Sequence, residues 1–274
     1  MKQLTYTNTV YRTGTEAVSL FARTFPGLTF YSQFLAIVLR ASAKAKRGQY
    51  DDADWCQSSF NILRSLESVG VCIEITGIKN VEQLDTPCIV IANHMSVLET
   101  VILPIVIQPI RKMTFIVKQS LLDYPVFRHI MSSRDPIVVS RTNPRHDLKV
   151  VLEGGMDRLK RGISIIVFPQ TTRRHLFDPT QFNTIGVKLA QKTNVPIVPL
   201  ALLTDAWGNG KYLKDFGKID PSKNVNFAFG EPMWVQGRGT NEHQEIIHFI
   251  SRKLQEWQNE REKDYLTKSK NSVD

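Results

Sequence analysis

The sequence is poor in cysteine and has no long uninterrupted apolar segment. Among its 274 residues the cysteines are Cys56, Cys72 and Cys88, and no two of them form a Cys-x-x-Cys pair. An odd number of cysteines without that spacing argues against a disulfide framework and against a structural zinc site, so we expect no metal. The first residues also lack the apolar core of a secretory signal peptide. These absences favour a protein of a reducing, cytosol-facing environment.

Basic residues exceed acidic residues, and the excess is concentrated in one stretch. The chain has 35 Lys and Arg against 26 Asp and Glu, a net charge of +9. Residues 111–174 hold 13 of the basic residues and 5 of the acidic ones. Such a stretch indicates a negatively charged partner, either nucleic acid, an anionic membrane surface or a phosphorylated substrate, or else a merely solvated basic face. No nucleic-acid-binding motif accompanies it, and we therefore expect no nucleic-acid partner.

Short apolar runs alternate with helical patterns from about residue 66 onward. Several runs are apolar at consecutive positions, as in strands that are covered on both faces. The sequence therefore predicts the α/β class, with a mixed, largely parallel sheet flanked by helices. We place a helical region and linker at residues 1–65, the α/β domain at 66–262 and a polar tail at 263–274. Strands are predicted at residues 87–92, 113–117, 137–139, 163–168, 196–203 and 225–229, and helices at 145–161, 184–193 and 242–263.

An uncharged, aromatic-rich segment precedes the α/β region at residues 24–39. It is shorter than the about 20 residues that a helix needs to cross a bilayer. One interpretation is a membrane-associated helix that lies in the interface with one apolar face inserted. The alternative, an internal helix packed on the main domain, fits the segment equally well. In the first case the inserted side chains would be Phe30, Tyr31, Phe34 and Leu35, with Arg40, Lys44, Lys46 and Arg47 at the headgroups.

A histidine and a carboxylate follow the strand predicted at residues 87–92. His94 and Glu99 are five residues apart, a spacing that would separate their side chains on a single helix. They form a base and its orienting acid only if His94 precedes a helix whose first turn contains Glu99. Ser96 and Glu99 match a capping box, which supports that placement. The same pattern also allows Glu99 to be a helix cap and nothing more.

Cationic and hydroxyl side chains follow other predicted strands. Thr171, Thr172 and Arg173 come after the strand at residues 163–168, where amides, a hydroxyl and a guanidinium would suit a phosphate or a developing oxyanion. Lys118 ends one strand and Arg141 follows another. Each feature alone fits an ordinary basic turn. Their recurrence at strand ends indicates one functional site.

Five ordered blocks between residues 84 and 203 resemble those of the glycerolipid acyltransferases, with the 1-acyl-glycerol-3-phosphate acyltransferases as the nearest branch. The blocks are residues 93–99, Lys118 with 121–125, 137–141, 168–173 and 195–199. The resemblance implies that His94 is the general base and that Glu99 orients it. It also implies that Arg141 and Arg173 bind the glycerol phosphate, with a contribution from Lys118.

The resemblance further implies a reaction and a location. A fatty acyl group would pass from an acyl thioester to the free hydroxyl of a lysophospholipid, with the tetrahedral oxyanion near Thr171 and Thr172. The thioester would be acyl-coenzyme A or an acylated carrier protein, used as a co-substrate, and no other cofactor is implied. The N-terminal helices of the family dock on the membrane, so we expect a membrane-associated protein on the cytoplasmic face.

Two departures from the family pattern affect this expectation. Glu99 stands where the family usually has Asp, and Gln170-Thr171 stands where it usually has Glu-Gly. Losing a carboxylate at residue 170 removes a negative charge beside the expected phosphate site. A different lysolipid acceptor, or a catalytically silent lipid-binding module of the same fold, therefore stays as an alternative.

Overall fold

A central β-sheet organises the computed structural model, which describes residues 1–14, 17–170 and 172–270 except for the side chains of residues 264 and 268–270. The strands are β1 (Tyr11–Arg12), β2 (Ile73–Thr76), β3 (Ile89–Ala92), β4 (Met113–Lys118), β5 (Ile137–Val139), β6 (Ser164–Val167), β7 (Ile197–Leu203) and β8 (Val225–Phe229). Their order across the sheet is β1-β2-β8-β7-β3-β6-β4-β5.

Most strand pairs in the sheet are parallel. The neighbours β7, β3, β6, β4 and β5 all run in the same direction, and β2 pairs with β8 in parallel. The pairs β7–β8 and β1–β2 are antiparallel. This arrangement confirms the predicted mixed, largely parallel sheet. Because five adjacent strands are parallel, their carboxyl ends lie at the same edge, where α/β proteins place ligand sites.

Helices cover both faces of the sheet. They are α1 (Leu20–Thr24), α2 (Pro26–Lys46), α3 (Asp52–Ser68), α4 (Lys79–Glu82), α5 (Leu98–Ile107), α6 (Gln119–Leu122), α7 (Phe127–Ser132), α8 (Pro144–Lys160), α9 (Ile185–Thr193) and α10 (Thr240–Lys270).

Alternate residues of each strand face the two helical layers. In β3, Val90 and Ala92 join the core that contains α2, α3 and α5, whereas Ile89 and Ile91 join the core that contains α8, α9 and α10. This alternation is the period of two expected of a β-strand. It explains why the strands are apolar at consecutive positions, since both faces are buried.

The N-terminal helices pack on the sheet instead of standing apart from it. Phe30 and Phe34 of α2 are fully buried, and their rings lie 4.7 Å and 5.0 Å from the ring of Trp207, centroid to centroid. The expectation that these two side chains insert into a membrane is therefore wrong, because this face of α2 covers the protein core. The same core continues across residue 65, where α3 packs against α5.

Several elements differ from the sequence prediction, among them two strands and the end of the last helix. The strands β1 and β2 were not predicted, since β1 has two residues and β2 alternates buried isoleucines with Glu74 and Thr76. The last helix continues to Lys270, past the boundary predicted at residue 262. Within the described ranges, no helix combines the length and apolarity needed to cross a bilayer.

Candidate active site

The carboxyl ends of the five parallel strands bring together the residues predicted from separate sequence blocks. His94 follows β3, Lys118 ends β4 and Arg141 follows β5. Lys118 is aligned with Val139 of the neighbouring strand, so Lys118 and the turn that contains Arg141 lie side by side. The segment that contains Thr172 and Arg173 follows β6, which lies between β3 and β4. These five residues thus lie at this edge of the sheet, whereas Thr171 lies outside the described residues.

His94 and Glu99 are in direct contact. His94 lies in the loop before α5 and Glu99 is the second residue of that helix, which is the placement the spacing required. His94 Nδ1 is 2.9 Å from Glu99 Oε1. The Glu99 side chain is fully buried, and that of His94 is 15% exposed. The pair therefore joins a buried carboxylate to an imidazole that reaches solvent.

Glu99 acts as a helix cap as well as a partner of His94. Its Oε1 accepts hydrogen bonds from the backbone N–H groups of Met95 (2.7 Å) and Ser96 (2.9 Å). The predicted capping box is thus half formed, because the Ser96 hydroxyl accepts from the N–H of Leu98 and not from that of Glu99. Helix capping and orientation of His94, which the sequence left as alternatives, are both carried out by this one carboxylate.

Two hydroxyl groups complete the surroundings of Glu99. Ser96 Oγ donates to Glu99 Oε2 at 2.9 Å, and Thr204 Oγ1 donates to the same oxygen at 2.7 Å. Thr204 directly follows β7 and is fully buried. Thr204 was not predicted from the sequence, although its position directly after the predicted strand 196–203 is the same signal that identified the other site residues.

The hydrogen bonds around Glu99 favour its ionised form. Burial raises the pKa of Glu99, but the hydrogen bonds from His94, Thr204 and Ser96 lower it further than burial raises it, so the net shift is downward. An ionised carboxylate accepts hydrogen bonds and donates none. Nδ1 of His94 therefore carries the proton that binds Glu99, and Nε2 is the ring nitrogen that this contact leaves unused.

The loop that contains His94 is bound to the loop after β6. The N–H of His94 donates to Gln170 Oε1 at 2.8 Å, and the N–H of Arg174 donates to the carbonyl oxygen of His94 at 3.0 Å. The His94 ring also stacks on Phe168, with centroids 4.4 Å apart. An amide oxygen at residue 170 thus supplies the acceptor that a carboxylate would, so the Gln170 departure leaves His94 held in place.

Asp147 holds the turn that carries Arg141. The backbone of Arg141 has a φ of 61°, in the left-handed region that is uncommon for residues other than glycine. The buried Asp147 carboxylate accepts from the N–H groups of Ser140 (2.9 Å) and Arg141 (2.7 Å). Burial raises the pKa of Asp147, but these hydrogen bonds lower it by more. The net pKa of Asp147 therefore lies below its ordinary value, and the carboxylate is stabilised in its ionised form. Asp147 was also missed from sequence, because a carboxylate in the first turn of α8 looks like an ordinary cap.

Arg173 is bound by a residue from a distant loop. Arg173 Nη2 is 2.5 Å from Asp215 Oδ1, and the indole N–H of Trp207 fixes the carbonyl of Asp215 at 3.1 Å. Arg173 Nη1 is buried and has no hydrogen-bond partner among the described residues. Lys214 and Asp215 carried no sequence signal, since they lie well beyond the end of β7.

A cavity of about 400 Å³ connects these groups. Its polar lining includes His94, Lys118, Arg141, Thr172, Arg173 and Lys214. The rest of the lining is mostly apolar and is drawn from α2, α3 and the neighbouring strand β4; it includes Ile37, Val38, Ala41, Trp55, Ile62 and Phe115. One cavity thus brings together an imidazole, a cluster of cations and an apolar surface.

Comparison with known proteins identifies relatives of this chain. The family model described as Acyltransferase matches residues 72–203. A 1-acyl-sn-glycerol-3-phosphate acyltransferase of Pseudomonas aeruginosa is 26% identical over 208 residues, which are 76% of this chain and 75% of that protein. A chloroplastic 1-acyl-sn-glycerol-3-phosphate acyltransferase of Brassica napus is 31% identical over 140 residues, 51% of this chain and 38% of that protein.

A solved structure shares the fold. The crystal structure of the 1-acyl-sn-glycerophosphate acyltransferase PlsC of Thermotoga maritima superposes with a TM-score of 0.58 and 19% sequence identity. The match covers 85% of this chain and 95% of that chain. The match therefore includes regions on both sides of the residues matched by the family model.

Proposed function

We propose that the chain is an acyltransferase of the glycerolipid acyltransferase family and that it acylates the free hydroxyl of 1-acyl-glycerol-3-phosphate to give phosphatidate; the family model and the relatives support this proposal. The observation that carries this proposal is the His94–Glu99 pair on a cavity that is also lined by Lys118, Arg141 and Arg173. A base beside several cations suits an acceptor that has both a hydroxyl group and a phosphate.

His94 is the general base in this proposal. Glu99 holds Nδ1–H, so Nε2 accepts the proton of the acceptor hydroxyl as its oxygen attacks the thioester carbonyl. The C–S bond of the tetrahedral intermediate then breaks, and the imidazolium returns its proton to the leaving thiolate. The products are the acylated acceptor and the free thiol, and His94 returns to the protonation state in which it started. Donors around Thr172, and in the neighbouring segment that includes Thr171, would meet the oxyanion.

The cations bind the acceptor phosphate in this proposal. Arg141 and Arg173 supply guanidinium groups, which bind phosphate through paired N–H donors, and Lys118 adds a point charge. Lys214 lies in the same lining and adds a fourth cation that the sequence did not indicate. Four cations favour a phosphate monoester over a neutral or zwitterionic headgroup, which is the reason for preferring 1-acyl-glycerol-3-phosphate to other lysolipids.

The acyl donor is proposed to place its chain against the apolar lining. Residues of α2 and α3 form that surface and would exclude water from the thioester. The acidic carrier of the donor, either coenzyme A or acyl carrier protein, would meet the basic surface of residues 111–174.

Membrane association on the cytoplasmic face is proposed from the exposed side of α1 and α2. A row of large apolar side chains faces outward there, opposite the buried Phe30 and Phe34. Contiguous exposed apolar side chains on an amphipathic helix are typical of interfacial binding. The row comprises Leu20, Phe21, Phe25, Leu28, Leu35 and Leu39. Of these six residues, only Leu35 was among the side chains predicted to insert into the membrane. The predicted Phe30 and Phe34 are instead buried in the protein core.

The test is an acyl-transfer assay on the purified full chain with 1-acyl-glycerol-3-phosphate and acyl-coenzyme A or acyl carrier protein. His94→Ala is expected to lower kcat by about 10³-fold or more, since loss of a catalytic base has that order of effect. His248→Ala, at an exposed position on α10, is the matched control. Equal product from wild type and His94→Ala would remove His94 from the mechanism.

A panel of acceptors tests the substrate in the same assay. Glycerol-3-phosphate, lysophosphatidylcholine and lysophosphatidylglycerol are compared with 1-acyl-glycerol-3-phosphate. We expect the largest kcat/KM for 1-acyl-glycerol-3-phosphate. A larger value for a phosphodiester lysolipid would assign the other acceptor that the Gln170-Thr171 departure leaves open.

A further inference from the structure

Apolar side chains are also exposed away from α1 and α2, on the loop between β7 and β8. Tyr212 is 89% exposed and Leu213 is 57% exposed, and they lie between Lys211 and Lys214. Large apolar side chains with basic neighbours at the tip of a loop are unusual on a surface that meets only water. We call residues 211–214 the loop tip.

The loop is held by its own backbone, so the exposure of the tip is built into the fold. The N–H of Gly208 donates to the carbonyl of Lys218 at 2.9 Å, and the N–H of Gly210 donates to that of Lys214 at 3.2 Å. A Cβ at Gly210 would lie 2.2 Å from the carbonyl oxygen of Leu213, so only glycine permits this close approach. These hydrogen bonds and the close turn hold the loop in a conformation in which the side chains of Tyr212 and Leu213 are exposed.

The loop tip lies beside the candidate active site. Lys214 and the next residue, Asp215, both line the cavity that contains His94. Asp215 is also the ion-pair partner of Arg173. A surface that covers Tyr212 and Leu213 would therefore lie next to the proposed binding site of the acceptor phosphate.

The loop also packs on the helix that carries the exposed apolar row. The hydroxyl of Tyr31 in α2 donates to the carbonyl of Gly217 at 2.5 Å, and the Tyr31 ring lies 5.4 Å from that of Phe216. Leu28 and Leu35 are three residues before and four residues after Tyr31, so they lie on its side of the helix. The loop tip and the row on α2 are thus neighbouring parts of one side of the molecule.

We infer that the loop tip is a second lipid-contacting element, which inserts Tyr212 and Leu213 into a bilayer surface that contains anionic phospholipid. Tyrosine suits the boundary between headgroups and acyl chains, because its ring is apolar and its hydroxyl is polar. Lys211 and Lys214 complement an anionic leaflet. The inference rests on the proposed function, because a lipid acceptor resides in that leaflet and the tip would set the cavity beside it.

Vesicle binding tests the inference with a control that the chain itself provides. Tyr265 and Leu266, near the end of α10, are a second Tyr-Leu pair with similar exposures of 75% and 58%. The double variants Tyr212→Ser/Leu213→Ser and Tyr265→Ser/Leu266→Ser of the full chain are sedimented with vesicles of equal parts phosphatidylcholine and phosphatidylglycerol. We expect the first to lower the partition coefficient about 10-fold and the second to leave it within about 2-fold of wild type. Equal binding by the two double variants would overturn the inference.

Fluorescence provides a measurement that does not depend on loss of binding. Leu213→Trp and Leu266→Trp each add one indole at an exposed site. Addition of vesicles is expected to increase the blue shift of emission in Leu213→Trp relative to wild type, and to leave Leu266→Trp with the shift of wild type. A blue shift of Leu213→Trp that instead follows protein concentration without vesicles would assign the tip to contact with a second copy and overturn the inference.

The assay separates failure of this inference from failure of the proposed function. With a short-chain acceptor below its critical micelle concentration, Tyr212→Ser/Leu213→Ser is expected to retain wild-type kcat/KM, because Tyr212 and Leu213 do not line the cavity. Loss of activity in that soluble assay would place the two side chains in substrate binding and overturn the inference. A wild-type protein that acylates no acceptor would refute the proposed substrate, while vesicle binding would still decide the role of the tip.

Discussion

Arg173 and Asp215 form an ion pair, 2.5 Å between nitrogen and oxygen, although they are 42 residues apart in the chain. Arg173 belongs to the block after β6 and Asp215 to the loop after β7. The pair fixes one nitrogen of the guanidinium and leaves Nη1 buried beside the cavity. Asp215 therefore positions Arg173 and leaves Nη1 as a donor for the proposed acceptor phosphate.

The first prediction concerns this pair. Asp215→Asn removes a charge-assisted hydrogen bond, which contributes about 1.5–3 kcal/mol. We expect KM for 1-acyl-glycerol-3-phosphate to rise about 10-fold with kcat little changed, as measured by steady-state kinetics. Asp178→Asn is the control, since the Asp178 carboxylate binds Thr180 and does not line the cavity. A lower KM in Asp215→Asn would show that Asp215 competes with the phosphate for Arg173.

The second prediction concerns the pH dependence of stability at Glu99. The pKa of Glu99 in the folded protein is below its ordinary value of 4.5, so ionised Glu99 stabilises the fold above that pH. The stabilisation is lost as the pH falls through the lowered pKa. Wild type should therefore exceed Glu99→Gln in free energy of unfolding by about 2–4 kcal/mol at pH 7, with a smaller difference in acid, as measured by urea unfolding.

Activity gives a second readout for the same variant. Glu99→Gln places an amide among donors that need a carboxylate, and His94 loses the partner that fixes its Nδ1 proton. We expect kcat to fall by about 10²- to 10⁴-fold at pH 7. A stability difference that grows in acid, or an unchanged kcat, would contradict the assignment of Glu99 as the ionised partner of His94.

The third prediction separates the role of Thr204 in the site from its role in the fold. Thr204→Val keeps the shape of the side chain and removes the hydroxyl that donates to Glu99. Thr114→Val is a matched control, because Thr114 is equally buried and its hydroxyl donates to the carbonyl of Arg134, away from His94. Both variants should lose about 1–3 kcal/mol in thermal or urea unfolding.

Only the first of these two variants should change catalysis. We expect Thr204→Val to lower kcat about 10-fold, because Glu99 is then free to shift relative to His94. Thr114→Val should retain wild-type kcat. An equal effect of the two substitutions on kcat would reduce Thr204 to a structural residue.

The fourth prediction concerns the apolar part of the cavity. Ala41 on α2 is buried and lines it, so Ala41→Phe should shorten the space open to an acyl chain. We expect the ratio of kcat/KM for long and short acyl donors to fall about 10-fold, a change in ratio that does not depend on the amount of folded enzyme. Ala36→Phe, on the same helix but outside the lining, should leave the ratio unchanged. An unchanged ratio in Ala41→Phe would place the acyl chain elsewhere.

The strands of the parallel sheet were predictable because they are buried on both faces. Several of the runs that became β3 to β8 are apolar at consecutive positions, and the predicted bounds of all six differ from the observed ones by two residues at most. The strands β1 and β2 gave no such signal, because β1 pairs through two residues and β2 contains polar side chains. Both strands form only by pairing with a neighbour: β1 pairs with β2, and β2 pairs with β8, which lies about 150 residues later in the chain.

The motif residues were also readable, since each follows a predicted strand. The spacing of His94 and Glu99 even specified where the helix had to begin. The residues that hold them were not readable in the same way. Thr204, Asp147 and Asp215 are ordinary polar residues whose importance comes from the group each one touches.

By itself, the sequence determined the fold class and indicated the candidate site residues, because apolar periodicity and residue type are local properties of the chain. The tertiary structure alone decided which face of α2 is buried, since Phe30 and Phe34 are apolar enough for either a membrane or a core. It alone also joined Arg173 to Asp215 and Glu99 to Thr204. Such contacts form only when the parallel strands align and bring distant loops to one edge of the sheet. No local sequence pattern predicts which of these loops come into contact.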